Sequence, residues 1–353
     1  MAQVPQVSTL PFNKVVEYED FADPELAAVI RDVFRHEIQY FTPEFPKGAE
    51  YRKYWEIAMS IRALRQFGAL RQDADILGVG AGTEATVFYL TNHVRNVFAN
   101  DLYLAAGRWD ASAPWYMLVS PDRFAPYPYR RDHLIVQHMD GRLMHYPDNT
   151  FDGIFSSGSI EHFGSWSSIA ASAYEMGRVL KPGGVMTVST EYRLGAPPGG
   201  EGWDGLRFFS REDLLRYIVE ASGLEPVDTL RTVISEATLA SKKSQSFYAA
   251  DTDAALAKQG KYPRVGEIIW SHYPHLVVTD QGYTYTSVHL TLRKTANYPS
   301  SENAWARPSA ELAAEIDKME ANLKLGASDS LVHRGVKAPL RRMRTRVRRV
   351  FDR

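Results

Sequence analysis

Between Asp75 and Glu84 the chain reads Asp-Ile-Leu-Gly-Val-Gly-Ala-Gly-Thr-Glu, with glycines at the alternate positions Gly78, Gly80 and Gly82. Glycine accepts positive φ and leaves main-chain N–H groups open, so such a turn can hold a polar or anionic group against the backbone. Asp101 stands about 20 residues beyond the turn, where a carboxylate following the next strand meets ribose hydroxyls. Together they read as a nucleotide or nucleoside site; the alternative is a turn kept for packing alone. A second group of reactive side chains is Ser156-Ser-Gly-Ser-Ile-Glu-His162. Glu161 and His162 are residue types that carry protons, and the alternative for His162 is a capping or packing role. His145 is a further imidazole, and the run Trp270-Ser-His-Tyr-Pro-His275 makes Trp270, His272, Tyr273 and His275 candidates for substrate contact. No His, Asp or Glu grouping has metal-ligand spacing, so no metal is expected.

These groups work together only if the elements carrying them end on one side of the molecule. Ile76 onward reads as a buried strand leading into the glycine turn, and Ala85 to Leu90 as the helix after it. Further strands are expected at Val94 to Asn100, Leu134 to Met139, Phe151 to Ser156 and Val185 to Thr190. An amphipathic helix, Ile169 to Leu180, precedes the last of these and is ended by Lys181-Pro-Gly-Gly184. Strands alternating with helices imply βαβ units and a parallel sheet, which binds ligands outside the carboxyl ends of its strands. The glycine turn, Asp101 and the Glu161–His162 segment all fall at such ends.

Around this core, Asp23-Pro24 predicts a helix start, with Leu26, Val29, Ile30, Val33 and Phe34 on one face and an end near Tyr40. A second helix is expected from Tyr51 to Phe67, with Ile57, Ile61 and Leu64 inward and Gly68 as its stop. Its Tyr51, Tyr54 and Trp55 either line a pocket or are plain core. Residues 1 to 22 lack periodicity and read as a surface arm. Ser210-Arg-Glu-Asp starts a helix reaching Gly223, followed by a strand from Val227 to Val233. The alternating run Tyr283 to Leu292 suits an antiparallel edge strand. The fold class is therefore α/β, a Rossmann-like doubly wound and mostly parallel sheet whose last strand is antiparallel. Residues 1–68 form an arm and helical cover, 69–294 the central domain with an insertion at 234–281, and 295–353 a helical extension, beginning at Pro308, with a basic tail.

Composition narrows the function. The 353 residues contain no cysteine, which excludes disulfides, thiolate metal sites and thiol nucleophiles. The N-terminus has no basic n-region or apolar h-region and no apolar run approaches a membrane span, so a cytoplasmic location is expected. The 41 Lys and Arg nearly balance the 42 Asp and Glu, but Arg334 to Arg353 holds nine of the bases and one acid, a net +8. Leu340, Met343, Val347, Val350 and Phe351 recur there at helical spacing, the pattern of a helix lying on an anionic membrane at its inner face; a solvated tail is the alternative.

Taken together, residues 75 to 191 resemble the class I S-adenosylmethionine-dependent methyltransferases, in particular the type-11 methyltransferase domain. The matching stretches are Ile76-Leu-Gly-Val-Gly-Ala-Gly-Thr-Glu84, Val97-Phe-Ala-Asn-Asp101, Met139-Asp-Gly-Arg142, Tyr146-Pro-Asp-Asn-Thr-Phe-Asp-Gly-Ile-Phe-Ser-Ser157 and Glu175-Met-Gly-Arg-Val-Leu-Lys-Pro-Gly-Gly-Val185. The resemblance implies S-adenosyl-L-methionine as cofactor. It further implies that Gly78, Gly80 and Gly82 hold the methionine part, that Asp101 and the adjoining Leu102 meet the ribose, that Asp140 and Gly141 lie near adenine, and that Ser157 ends the fourth strand beside the cofactor. Two positions depart from the family: Gly78 stands where an acid is usual, and Glu84 where a glycine is usual. The cofactor's amino group must then be met from elsewhere, and Glu84 is the candidate. Gly-Val-Gly-Ala-Gly-Thr-Glu with Asn-Asp-Leu-Tyr103 and Ser-Ser-Gly-Ser-Ile-Glu-His-Phe-Gly164 resembles a branch found in bacterial polysaccharide and cell-envelope gene clusters, which implies methylation of a sugar hydroxyl on a glycan or glycolipid. A hydroxyl acceptor needs a base, and His162 is the candidate, with Glu161 orienting it or binding substrate. The absence of an Asn/Asp-Pro-Pro-aromatic sequence after the fourth strand argues against an amine acceptor.

Four other readings compete: a small-molecule O-methyltransferase, an NAD(P)-dependent oxidoreductase, a silent scaffold of the same fold, and an RNA-binding protein. The glycine turn and Asp101 alone fit the oxidoreductase too, whereas the Lys-Pro-Gly-Gly and Phe-Asp-Gly-Ile-Phe segments belong to methyltransferases. No RNA-binding motif accompanies the arginine tail, so nucleic acid is not expected as a partner.

Overall fold

The computed structural model describes residues 9–104, 113–195, 206–244 and 273–299, with isolated positions at 313, 314 and 318. The expected helix from Pro308, the basic tail, and most of the 234–281 insertion lie outside the described residues.

In chain order the elements are β1 (Lys14–Val15), α1 (Pro24–Val33), α2 (Arg52–Gln66), β2 (Asp75–Val79), α3 (Ala85–Thr91), β3 (Asn96–Asp101), α4 (Tyr116–Val119), β4 (Leu134–His138), β5 (Phe151–Ser157), α5 (Trp166–Val179) and β6 (Leu180–Arg193). They continue with α6 (Arg211–Leu214), β7 (Glu225–Pro226), α7 (Glu236–Ala240), β8 (Lys243–Ser244), β9 (Val278–Asp280) and β10 (Tyr283–Arg293). The sheet runs β4-β3-β2-β5-β6-β10-β9-β8. The first five of these are mutually parallel, and β10 is antiparallel to β6. From β2 the chain winds outward through β3 to β4, then returns to lay β5 on the other side of β2. The carboxyl ends of β2 and β5 are therefore the topological switch point, where an open α/β sheet leaves a crevice.

Alternation along the strands divides the core in two. Ile76, Val97 and Phe155 face α1, α2 and α3, while Leu77, Val79 and Ile154 face α5 and Leu214 of α6. The helices start where caps are available. Asp23 accepts the Leu26 N–H at 2.9 Å ahead of Pro24, and Ser210 and Asp213 form a reciprocal box at α6. Gly68, at φ +76°, follows α2. α1 ends at Val33, short of the expected Tyr40, because Phe34 leaves helical geometry and packs on Tyr54 with ring centroids 4.5 Å apart. α6 runs on as a π-helical turn over Leu215–Glu220.

Four expectations are corrected along β10 and its partners. The strand expected at Val227–Val233 is replaced by the two residues just before it, Glu225–Pro226, and Arg231 makes only an isolated bridge to Lys14. The neighbouring register is taken by β1, whose Lys14 and Val15 pair with His289 and Val288. Asp228 turns its carboxylate to the N–H groups of Phe12 and Asn13, at 2.7 and 2.9 Å, and Arg231 exchanges main-chain bonds with Asn13 and Val15. Within the described part of the supposed surface arm, Lys14–Val15 is thus part of the sheet. β10 itself is no edge: β6 covers one side, and β9, β1 and β7 share the other. Its polar residues Ser287, His289 and Thr291 are buried, since α2 crosses that face and supplies partners such as Glu56 to Ser287, while Thr286 on the other face is buried with its hydroxyl donating to Leu276 O at 2.7 Å. Finally, β6 begins at Leu180 and takes Lys181–Gly184 as a bulge, since the pairing jumps from Phe151–Leu180 to Gly153–Val185.

Candidate functional site

The three glycines of the turn serve different ends. Gly78 is still strand, and a Cβ there would lie 2.5 Å from Phe155 Cζ and 2.9 Å from the Ala81 side chain, which leaves no room for the acid usual at this position. Gly80, at φ +65°, lies against Ser159, whose hydroxyl donates to Val79 O at 3.2 Å and meets Ser156 Oγ at 3.0 Å. This serine ties the ends of β2 and β5 together at the switch point. Gly82, at φ +52°, faces open space, with only Asp101 Oδ2 near its missing side chain at 3.9 Å.

Asp101 ends β3 and holds that turn. Its Oδ2 accepts the Gly82 N–H at 2.9 Å and its Oδ1 the Leu102 N–H at 2.6 Å, while the buried Tyr103 hydroxyl donates to Gly82 O at 2.9 Å. Burial pushes the carboxyl upward, and the two N–H donors pull it back. Asp140 is oriented by its neighbour: Arg142 Nη2 reaches Oδ2 at 2.8 Å, and its main-chain N and Nε reach Oδ1 at 2.9 and 3.0 Å. What Asp140 offers a ligand is its remaining lone pairs in a fixed direction. Gly141 is a packing glycine, since a Cβ would come within 2.8 Å of Val79 and 2.9 Å of Phe163.

Across the crevice stands a group that sequence reasoning missed. The first turn of α2 presents Arg52, Lys53 and Glu56 to Glu191 near the end of β6. Arg52 Nη1 meets both Glu191 oxygens at 2.8 Å and Ser287 Oγ at 3.1 Å. Lys53 Nζ lies 3.1 Å from Glu56 and 3.4 Å from Glu191. Burial works against the Glu191 charge, but Arg52 and Lys53 outweigh it and hold this carboxyl below its ordinary range. Arg-Lys-x-x-Glu at helical spacing was the signal available; its partner is 139 residues away, which no local pattern reveals.

The sequence-predicted residues converge on this same end of the sheet. Glu84 precedes α3 but makes no capping bond to it; its carboxylate accepts from Thr86 Oγ1 at 3.4 Å. Burial pushes Glu84 up to about 8, Glu56 adds to the shift, and Lys53 opposes it. Glu161 is buried and accepts from Thr190 Oγ1 at 2.9 Å; burial and then Glu191 raise it. His162, one residue on, is exposed to solvent, yet the protein around it lowers its pKa, with Glu191 opposing and Lys53 assisting. Ser157 Oγ is buried without a hydrogen-bond partner among the described residues.

Of the residues expected to contact substrate, Tyr273 and His275 pack on Tyr51 with ring centroids 6.2 and 5.4 Å away, and the His275 carbonyl accepts the Arg52 N–H at 3.1 Å. Tyr54 joins this aromatic group, whereas Trp55 is core, its indole N–H bound to Asp20 at 2.8 Å. His145 is exposed on the approach to β5. Trp270 and His272 lie outside the described residues. Among the described residues no cluster of three or more His, Asp or Glu is arranged to hold a metal ion.

Residues 77–188 match the family model described as a methyltransferase domain. No curated protein sequence matches the chain. Among solved structures, a putative sarcosine dimethylglycine methyltransferase from Galdieria sulphuraria is 17% identical, with a TM-score of 0.43 over 68% of this chain and 85% of that one. The geranyl diphosphate C-methyltransferase of Streptomyces coelicolor is 13% identical, with a TM-score of 0.41 over 78% and 99%. The cyclase SpnF is 20% identical, with a TM-score of 0.42 over 68% and 82%. Likenesses of this size concern the path of the chain and say nothing of substrate.

Proposed function

We propose that this protein is an S-adenosylmethionine-dependent methyltransferase acting on a hydroxyl oxygen, with a sugar hydroxyl of a glycan or glycolipid as acceptor. The observation that carries the reading is the glycine turn at the switch point, opened by positive φ at Gly80 and Gly82 and gripped by Asp101, inside a segment that matches a methyltransferase domain. The residues fit the cofactor: Gly82 leaves a cradle that a Cβ would begin to fill, and Ser157 Oγ is a buried polar atom still lacking a partner. When bound, S-adenosylmethionine supplies a methyl group on an electron-poor sulfonium. The chain's part is to hold it and to manage a proton. Asp101 would accept from vicinal ribose hydroxyls, Asp140 would offer a fixed acceptor to the adenine, and Glu84, free of any capping bond, would meet the amino group. His162, kept neutral at pH 7 by its lowered pKa, takes the acceptor hydroxyl's proton as the oxygen gains its methyl.

The sugar assignment rests on the glycine-turn and Ser156–Gly164 sequences and on the missing amine-type motif. On the same reading residues 334–353, outside the described residues, bring the enzyme to an anionic membrane surface where a glycolipid acceptor lies. The test is calorimetric binding of S-adenosylmethionine followed by transfer of labelled methyl to cell-envelope glycan fractions. No binding would end the reading as a whole; binding with label found only in small molecules or amines would end the glycan assignment.

A further inference from the structure

The first turn of α2 is a poor place for two cations, because a helix N-terminus carries partial positive charge. Arg52 is accounted for, since its buried Nη1 is shared by Glu191, Glu56 and Ser287. Lys53 is different. A third of its side chain stays exposed, and its ammonium lies against the turn that carries Glu161 and His162. Gly158 opens that turn at φ +60°, and a Cβ there would lie 2.5 Å from Lys53 Nζ, 3.4 Å from Glu56 Oε2 and 3.6 Å from Glu161 Oε1. Glycine at 158 thus serves a backbone conformation and a seat for Lys53 at once.

We propose that Lys53 is a positioning residue for methyl transfer: its ammonium, lodged against Gly158 between Glu56 and Glu191, anchors the Gly158–His162 turn electrostatically and fixes the state in which His162 meets a substrate. This rests on His162 being the base. The charged groups around the turn are Arg52, Lys53 and Glu56 from α2, Glu191 from β6, Glu84 ahead of α3, Glu161 within it, and Arg207, whose N–H binds Glu161 O at 2.9 Å. Removing the Lys53 charge leaves an excess of carboxylates facing the imidazole, so the imidazolium gains stability. In the intact protein Lys53 opposes that protonation.

The experiment follows the His162 ring by NMR titration in the full-length protein without cofactor, with the resonance assigned by its loss in His162→Gln. Lys53→Met should raise the His162 pKa by about half a unit, the order of one nearby charge acting through a high-dielectric path, and Lys53→Arg should restore it. Should Lys53→Met fail to fold, Lys53→Gln removes the same charge while keeping a polar side chain, and the same upward shift is expected. A His162 titration that coincides with wild type in a folded Lys53→Met or Lys53→Gln protein overturns the inference. The acidic limb of kcat/KM should move with the NMR value. If the ring shifts while that limb stays put, the base assignment of His162 fails and the role of Lys53 in the turn stands.

Discussion

Two side chains carry the proposed chemistry, and each makes a separate prediction. Asp101 spends both oxygens on main-chain donors at the end of β3. Asp101→Ala removes the carboxylate that would meet the ribose while leaving the strand intact. S-adenosylmethionine affinity should fall by about 10- to 100-fold, the worth of one charged hydrogen bond, by calorimetry with an unchanged circular dichroism spectrum. Affinity equal to wild type would detach Asp101 from the ribose. His162 is solvent-facing with a lowered pKa, so it is an available proton acceptor at pH 7 and loses that capacity as pH falls below its folded value, itself under about 6.5. His162→Ala should cut kcat by at least about 10²-fold with little change in cofactor affinity, and the acidic limb of the profile should disappear. Full turnover in that variant would return His162 to a structural role. With no metal grouping among the described residues, activity is expected to persist in EDTA; loss that only Mg²⁺ or Mn²⁺ restores would contradict this.

At the level of elements, two contacts reverse what local rules suggest. Gly177 lies inside α5, where alanine ordinarily stabilises a helix by up to about 1 kcal/mol. Here its missing Cβ is the contact surface for the Ser222 carbonyl, a backbone group that cannot swing away. Gly177→Ala should therefore destabilise, by about 1–3 kcal/mol in urea unfolding; a gain in stability would show that the turn at 222 yields. Asp152 opens β5 and binds Lys181 at 2.8 Å in the β6 bulge, the Asp75 N–H at 2.9 Å and Arg71 at 2.5 Å. Burial alone would raise its pKa, but Lys181, the Asp75 N–H and Arg71 together hold it below the ordinary value. Because the folded pKa is the lower one, this stabilisation is present above about pH 4 and fades as pH falls through the folded value. Asp152→Asn should lower stability at pH 7, and its deficit against wild type should shrink as pH falls through the folded value. The elements that could be read from sequence were those with local signals: the Asp23-Pro24 cap, the Ser210 start, Gly68, and the apolar runs of β2 and β5. β10 misled because alternation reports that one face is polar, not that water covers it; α2 covers Ser287 and His289 instead. Arg52, Lys53, Glu56 and Glu191 were invisible for the same reason, since an ion pair joining a helix to a strand far along the chain leaves no periodic trace.

For the whole molecule, no helix among the described residues is long and apolar enough to cross a membrane. Peripheral attachment is a separate question. If the +8 segment from Arg334 to Arg353 supplies it, the protein should co-sediment with anionic but not neutral liposomes, and deletion of those residues should abolish binding; binding that survives the deletion would assign it to another surface. The pairing of β1 with β10 bears on how the protein is made. Lys14 and Val15 leave the ribosome early, yet their partners His289 and Val288 are built more than 270 residues later. At about 5–20 residues per second, the amino-terminal strand waits tens of seconds for its slot. During that time Val15 and Val16, buried in the finished fold, stand as an unpaired sticky end. The pairing of β1 with β10 is thus a long-range closure that cannot form until the residues of β10 have been made.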